Sequence, residues 1–268
     1  MRRLAAALLL MAGAAAQAEA PQRIVSANLC ADRLVLALAD RDKIVSVSHF
    51  AVDPNLSTVT DQAKGIPANH ADAEEIATMH PDLVIFGQYT QRANSEMLKT
   101  LGYSVYMLPH PRDLDAMRKT IRDLAARLGV PERGEAMVAD IDARLAALPV
   151  HKPAKAAFYS AGGWTSGKPS LADDLLKRLG AINIPTEAGI GSNGTLPLET
   201  LVAAGPQLVI FETLGNSGKQ QVSLAAQLLD HPALAERGVR RLDMPMKLWD
   251  CADASIVDAA RLIDEALP

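Results

Sequence analysis

The sequence predicts an α/β protein of two similar lobes with mostly parallel sheets, joined by one long helix. The first observation behind this is a repeat. Glu74-Glu75-Ile76-Ala77-Thr78-Met79-His80-Pro81-Asp82-Leu83-Val84-Ile85-Phe86 has a counterpart in Glu199-Thr200-Leu201-Val202-Ala203-Ala204-Gly205-Pro206-Gln207-Leu208-Val209-Ile210-Phe211. Both read as a short helix opened by an acidic residue, a proline-marked turn and a continuously apolar strand. Such a run suits a parallel strand buried on both faces, whereas a half-exposed strand would alternate. The second observation is that strand-like and helix-like segments alternate on either side of these units. The third is a long helical stretch lying between them.

The elements follow in order. Met1-Arg2-Arg3, the apolar run from Leu4 to Ala16 and Ala16-Gln17-Ala18 carry the charged, apolar and small-x-small regions of a secretory signal peptide, with cleavage expected after Ala18. The apolar run is too short for a bilayer, and nothing later reaches the roughly 18 apolar residues of a membrane helix. The expected mature chain is therefore exported and not membrane-inserted. Arg23 to Ser26 reads as the first strand, Ala27 to Asp32 as a loop, then a helix to about Ala39 and a strand from Lys43 to Ser48. His49 to Asn69, with Pro54 and Pro67, reads as irregular. After the first repeat unit come a loop at Gly87–Gln91, a helix to Leu101 and a strand at Ser104–Leu108.

From Arg112 to Pro149 the pattern is helical, broken at Gly129-Val130-Pro131. Pro131 suits the first turn of a helix, with Glu132 and Glu135 near its positive end. That helix would run to Leu148, about 18 residues or 27 Å, as a rigid spine. The second lobe opens with a strand at Ala156–Ser160, the loop Ala161 to Ser170 and a helix at Leu171–Leu179. After the second repeat unit a loop is expected at Thr213–Lys219, a helix near Ala225–Leu229, a strand near Val239–Leu242 and a last helix from Ala254 to Leu267. The expected divisions are residues 1–18 (signal peptide), 19–130 (first lobe), 131–149 (backbone helix) and 150–268 (second lobe). Lobes of roughly 110 residues are each large enough to bury a core.

Composition excludes some functions. The formal charge is −4, and loss of Arg2 and Arg3 would make the mature chain more acidic still. With no basic run and no aromatic-basic interleaving, nucleic acid is not an expected partner. Gly162 to Lys168 stops one residue short of a phosphate-binding loop, because Pro169 has neither a hydroxyl for magnesium nor an N–H for phosphate. Gly189 to Gly194 spells GxGxxG but lacks the strand before and the helix directly after that a dinucleotide site needs. The six histidines show no metal-ligand spacing; His80 and His231 read as structural. No catalytic constellation is present, so no enzymatic activity is expected. The two cysteines, Cys30 and Cys251, are candidates for a disulfide between the lobes, with buried thiols or a ligand contact as the alternatives.

These features together resemble the periplasmic substrate-binding proteins that serve ABC importers of iron-siderophores, haem and cobalamin. The resemblance spans nearly the whole mature chain. It rests on the Arg23-Ile24-Val25-Ser26 strand with its Asn28-Leu29-Cys30-Ala31-Asp32 loop, the two repeat units, the helical spine and the Thr165-Ser166-Gly167-Lys168 loop. It implies two Rossmann-like lobes, a ligand held in the cleft between them, little closure motion and monomeric action. It also implies that one glutamate per lobe docks onto the permease, here Glu74 and Glu199, with Glu75 a rival at the first site. An acidic first turn is also ordinary helix chemistry.

Parallel α/β sheets bind ligands beyond the carboxyl ends of their strands. On that rule the candidate cleft residues are Asn28, Leu29, Cys30, His49, Phe50, Gln88 and Tyr89 from the first lobe. From the second come Trp164, Thr165, Ser166, Asn193, Trp249 and Asp250. Trp164 matches an aromatic ligand contact of the cobalamin-binding relatives, whereas Ala68, Gly87 and Asn193 stand where those relatives align tryptophans. Arg92 and Lys168 are candidates for anionic siderophore oxygens, and Tyr89, His49 and His110 for haem iron. The expected function is capture and delivery of an iron chelate or corrinoid. The alternatives are a bare zinc or manganese ion as cargo, or an exported sensor module on the same fold.

Overall fold

The structure, a computed structural model, describes residues 19–213 and 238–268. The expected signal peptide, the loop from residue 214 onward, the helix near residues 225–229 and His231 lie outside the described residues.

The first sheet is built from β1 (Ile24–Ser26), β2 (Ile44–Ser48), β3 (Ala68–Asn69), β4 (Leu83–Gly87) and β5 (Val105–Leu108), in the order β3-β2-β1-β4-β5. The second is built from β6 (Lys155–Phe158), β8 (Ile182–Asn183), β10 (Leu208–Thr213) and β11 (Arg240–Pro245), in the order β11-β10-β6-β8. Every pairing in both sheets is parallel. A small antiparallel pair joins β7 (Trp164–Thr165) to β9 (Gly194–Thr195).

The repeat seen in the sequence is a repeat of topology. Each Leu-Val-Ile-Phe strand lies beside the first strand of its lobe and begins in the same register, with Leu83 opposite Ile24 and Leu208 opposite Ala156. All five residues of β4 are buried, as its unbroken apolar run requires. Each of these strands follows a short helix, α3 (Ala73–Thr78) or α9 (Leu198–Ala203).

Helices cover both faces of each sheet. On the outer faces, Val25, Val84 and Phe86 form one core in the first lobe, and Ala157, Val209 and Phe211 another in the second. The inner faces share a single core. Ile24, Leu83 and Ile85 belong to the same cluster as Ala156, Phe158 and Ile210. The cluster is continuous through α1 (Leu29–Leu38), α5 (Leu114–Arg127), α6 (Pro131–Ala146), α7 (Leu171–Arg178) and α10 (Ile256–Ala266). On this side the lobes do not bury separate cores.

The spine is the second half of a helical hairpin. Gly129, with φ +76°, ends α5, and Pro131 starts α6. The 16 residues of α6 span about 24 Å. It stops at Ala146, before the expected Leu148. Arg133 of α6 reaches Leu38 O and Asp40 beside α1, and Arg144 reaches Asp258 on α10.

Other boundaries moved for local reasons. The expected loop at Ala27–Asp32 is mostly helix, because Asn28 caps α1 by accepting from the N–H groups of Cys30 and Ala31. The segment expected to be irregular after β2 contains a 3₁₀ turn at His49–Val52, a one-turn helix α2 (Thr60–Ala63) and the edge strand β3. The strand expected near Val239–Leu242 runs on to Pro245. Among the described residues the remaining α-helices are α4 (Arg92–Thr100) and α8 (Ile184–Glu187).

Candidate functional site

The carboxyl ends of β4, β5, β6, β10 and β11 supply residues to one region between the lobes. There the structure has a cleft of about 650 Å³. Tyr89, His110, Pro111 and Arg112 line it from the first lobe. Phe158, Ser160, Trp164, Ser166, Asn193, Glu212, Trp249 and Asp250 are among its second-lobe residues. A side chamber of about 90 Å³ adjoins it and shares Tyr89, His110 and Pro111.

Trp164 is held out by a tight loop. Ser160 N–H donates to Trp164 O, and Gly163 N–H donates to Ser160 O. Gly163 has φ +77°, and a Cβ there would sit 2.7 Å from Leu196 O, so only glycine fits. Thr165 is buried beneath, its hydroxyl donating to Phe158 O. The indole is left 50% exposed, and Tyr89 across the cleft is 72% exposed. Ser166 donates to Asn193 Oδ1 at 3.1 Å, tying the loop to the glycine-rich turn ending at Gly194.

Trp249 is oriented rather than mobile. Its ring stacks on Phe158 at 4.3 Å and 20°, and its Nε1–H donates to Glu212 Oε1 at 2.6 Å. Ser160 donates to the other Glu212 oxygen at 2.5 Å. The Glu212 carboxylate thus ties Trp249, through one oxygen, to Ser160 on the other. Asp250 follows at the mouth of the cleft, open to water on one side and closed in by protein on the others. The lost hydration raises its carboxyl pKa; the Glu212 charge adds to the rise, and His110 and Arg33 oppose it.

The loop carrying Trp249 and Asp250 is fastened to the first lobe. Cys30 and Cys251 form a disulfide with Cα atoms 5.1 Å apart. One turn along α1, the buried Arg33 donates to Asp253 Oδ1 at 2.9 Å, to Ser255 Oγ and to Lys247 O. The two cysteines are therefore bonded, and neither is a free thiol available to a ligand.

Of the sequence candidates, Tyr89, Trp164, Thr165, Ser166, Asn193, Trp249 and Asp250 line the cleft. Asn28, Cys30, Gln88 and again Tyr89 line the side chamber. Leu29, His49 and Phe50 line neither. His49 packs instead between Phe50 and His70, at ring distances of 3.9 and 4.9 Å. Arg92 and Lys168 also line neither cavity, and the cation in the cleft wall is Arg112, which makes no ion pair with the described residues. Arg112, Pro111, Ser160, Glu212 and Met246 were missed, although each lies at or just past the carboxyl end of a strand. The rule that found the others applies to them. His110, a haem-ligand candidate, faces Tyr89 at a ring distance of 6.2 Å. Among the described residues no group of three or more His, Cys, Asp or Glu could hold a metal ion, and no helix is long and apolar enough to cross a membrane.

Glu74 and Glu199 occupy matching positions, each the second residue of its helix and each exposed. A crossover helix runs against its parallel strands, so these helix starts lie toward the strand ends that carry the cleft. Glu75, by contrast, accepts from His70 N–H at 2.8 Å.

A family model described as periplasmic binding protein matches residues 24–244. The chain belongs to the periplasmic binding protein family. Among solved structures, a possible iron-binding periplasmic solute-binding protein from Staphylococcus epidermidis superposes with a TM-score of 0.75 at 17% identity, covering 92% of this chain and 99% of that one. A periplasmic heme-binding protein from Roseiflexus sp. RS-1 in apo form gives 0.72 at 24% identity, covering 91% and 98%. A cobalamin-binding protein of Halobacterium salinarum is 23% identical over 198 residues, 71% of this chain and 53% of that protein. The chain thus spans about half the length of that curated relative.

Proposed function

We infer that the protein is the periplasmic substrate-binding component of an ABC importer and that it captures an iron chelate or a corrinoid in the inter-lobe cleft. One observation carries this: Tyr89 and Trp164 stand largely exposed on opposite walls of a cofactor-sized cleft. Large aromatic side chains exposed in a concave site are surface awaiting a flat, partly apolar ligand. The names of the relatives, which bind iron, heme and cobalamin, point to that ligand class. Arg112 offers a charge to an anionic group, and Asp250 an acceptor to an amide or hydroxyl.

On this reading the protein binds without catalysing, and Glu74 and Glu199 meet arginines of the permease. Residues 1–18 direct export to the periplasm and are removed. The test is intrinsic tryptophan fluorescence, titrated with haemin, cyanocobalamin and a panel of ferric siderophores, with correction for ligand absorption. Saturable quenching by one ligand at micromolar concentration or below is the expected result. No saturable response to any of them would remove the assignment to this ligand class.

A further inference from the structure

Beside the cleft, the side chamber differs from it in chemistry. Its walls are Leu34, Leu108, Pro109, Ala252 and the Cys30–Cys251 disulfide, and it opens to the cleft past Tyr89 and His110. At about 90 Å³ it has room for about six water-sized groups, taking about 15 Å³ for each.

Its polar side chains are largely spent on the protein. Asn28 Oδ1 caps α1, Gln88 Oε1 accepts from His110 N–H at 3.1 Å, and the Thr90 hydroxyl donates to Gly87 O at 3.3 Å. Gly87 makes the wall this tight, since a Cβ there would lie 2.7 Å from Asn28 Nδ2. Apart from Tyr89 and His110 at the opening, no titratable side chain faces the chamber. A carboxylate placed there would lose its water and meet no cationic side chain other than His110 at the opening, whereas an apolar group would lose nothing.

The cleft has the opposite character, with Arg112, Glu212 and Asp250 in its walls. We propose that the chamber is a ligand subsite that receives an uncharged, largely apolar substituent of the bound molecule while its polar groups stay in the open cleft. The ligand is then asymmetric, and it enters with its apolar edge beneath Tyr89 toward the disulfide. This rests on the cleft being the ligand site. It adds a requirement on the ligand's shape and charge that the cleft alone does not impose.

The test uses the wild-type chain first. Crystals pressurised with xenon, which reports empty apolar cavities, should show a xenon atom in the chamber. Crystals grown with whichever of haemin, cyanocobalamin or a ferric trihydroxamate quenches the fluorescence should show that xenon displaced. Ala252→Leu, which fills the chamber from its second-lobe wall, should lower affinity for the same probe at least tenfold while circular dichroism and melting confirm the fold. Xenon that fails to enter the ligand-free chamber, or that persists in a saturated complex, would overturn the proposal. Unchanged affinity in folded Ala252→Leu would overturn it as well. If no probe quenches at all, the cleft reading itself fails and the subsite falls with it, an outcome distinguishable from the others before any variant is made.

Discussion

Trp164 is the residue whose surroundings say most about its use. Its loop is closed by two backbone hydrogen bonds, floored by Thr165 and pinned by Gly163, and yet it leaves half the indole in water. Replacing Trp164 with Ala should weaken ligand binding by about 1–3 kcal/mol, the range for truncating an aromatic contact, and leave the melting temperature nearly unchanged. A large loss of stability with unchanged affinity would make the ring a packing residue. Asp32 makes a different prediction. It is fully buried in α1, accepts from Ser48 N–H and Oγ–H at the end of β2, and burial pushes its pKa up to about 6 from 3.8. The native state therefore holds this proton more tightly than the unfolded chain does. Its contribution is complete below about pH 4, is lost as pH rises toward about 6, and stays lost above that. Asp32→Asn keeps the shape and removes the titration, so its stability relative to wild type should rise between pH 4 and 6. Thermal melts across that range check this, and a gap constant with pH would refute it.

At the scale of elements, the two repeat units make the clearest case. Each puts a glutamate on the second position of a short helix that precedes a buried strand, and among the described residues neither Glu74 nor Glu199 has a hydrogen-bond or ion-pair partner. Glu74→Ala with Glu199→Ala should abolish uptake in cells and leave ligand affinity intact, since rim charges steer and orient a partner more than they shape a distant cleft. Loss of affinity would show that they serve the site instead. These units were legible in the sequence because a parallel strand buried on both faces leaves an unbroken apolar run, and because proline and glycine mark the turn before it. Helix starts and short edge strands were less legible. Asn28 reads equally well as loop or cap until its side chain is seen to accept from Cys30 and Ala31, and β3 pairs through only two residues. The candidate site was legible where a loop followed an obvious strand, as at Gln88–Tyr89 and Trp164. It was missed at Glu212, still inside its strand, and at Arg112, directly after a proline. Which rim residues fold inward is decided by the sheet's twist and the lobes' approach, and no local pattern records that.

Across the whole molecule, the lobes are bound together more firmly than a single linking helix would achieve. Their inner faces share one core, Arg33 and Asp253 pair across the join, and Cys30 is bonded to Cys251. The buried pair argues for fixed geometry more than for stability, because desolvating both charges offsets much of their attraction. The disulfide closes a loop over a sequence separation of 221, for which the chain-entropy estimate is about 5 kcal/mol. Trp249 and Asp250 sit between Lys247, whose carbonyl accepts from Arg33, and the bonded Cys251, so a second-lobe wall of the cleft is held to first-lobe helix α1. Closure on ligand should accordingly be small, a tilt of packed elements rather than a wide hinge. Spin labels on exposed positions of the two lobes, such as Met97 on α4 and Thr200 on α9, should move by no more than a few ångströms at ligand saturation. Replacing Cys30 and Cys251 together with Ser should lower the melting temperature by about 10–20 °C, at 2–4 °C per kcal/mol for a chain of this size. It should also broaden the label distances and weaken binding, because the Trp249 loop then loses its covalent fastening and keeps only hydrogen bonds such as those of Arg33 and of Lys247 to Pro54 O. If the variant melts lower but binds as wild type with an unbroadened distance distribution, the shared core by itself fixes the cleft and the disulfide serves only stability.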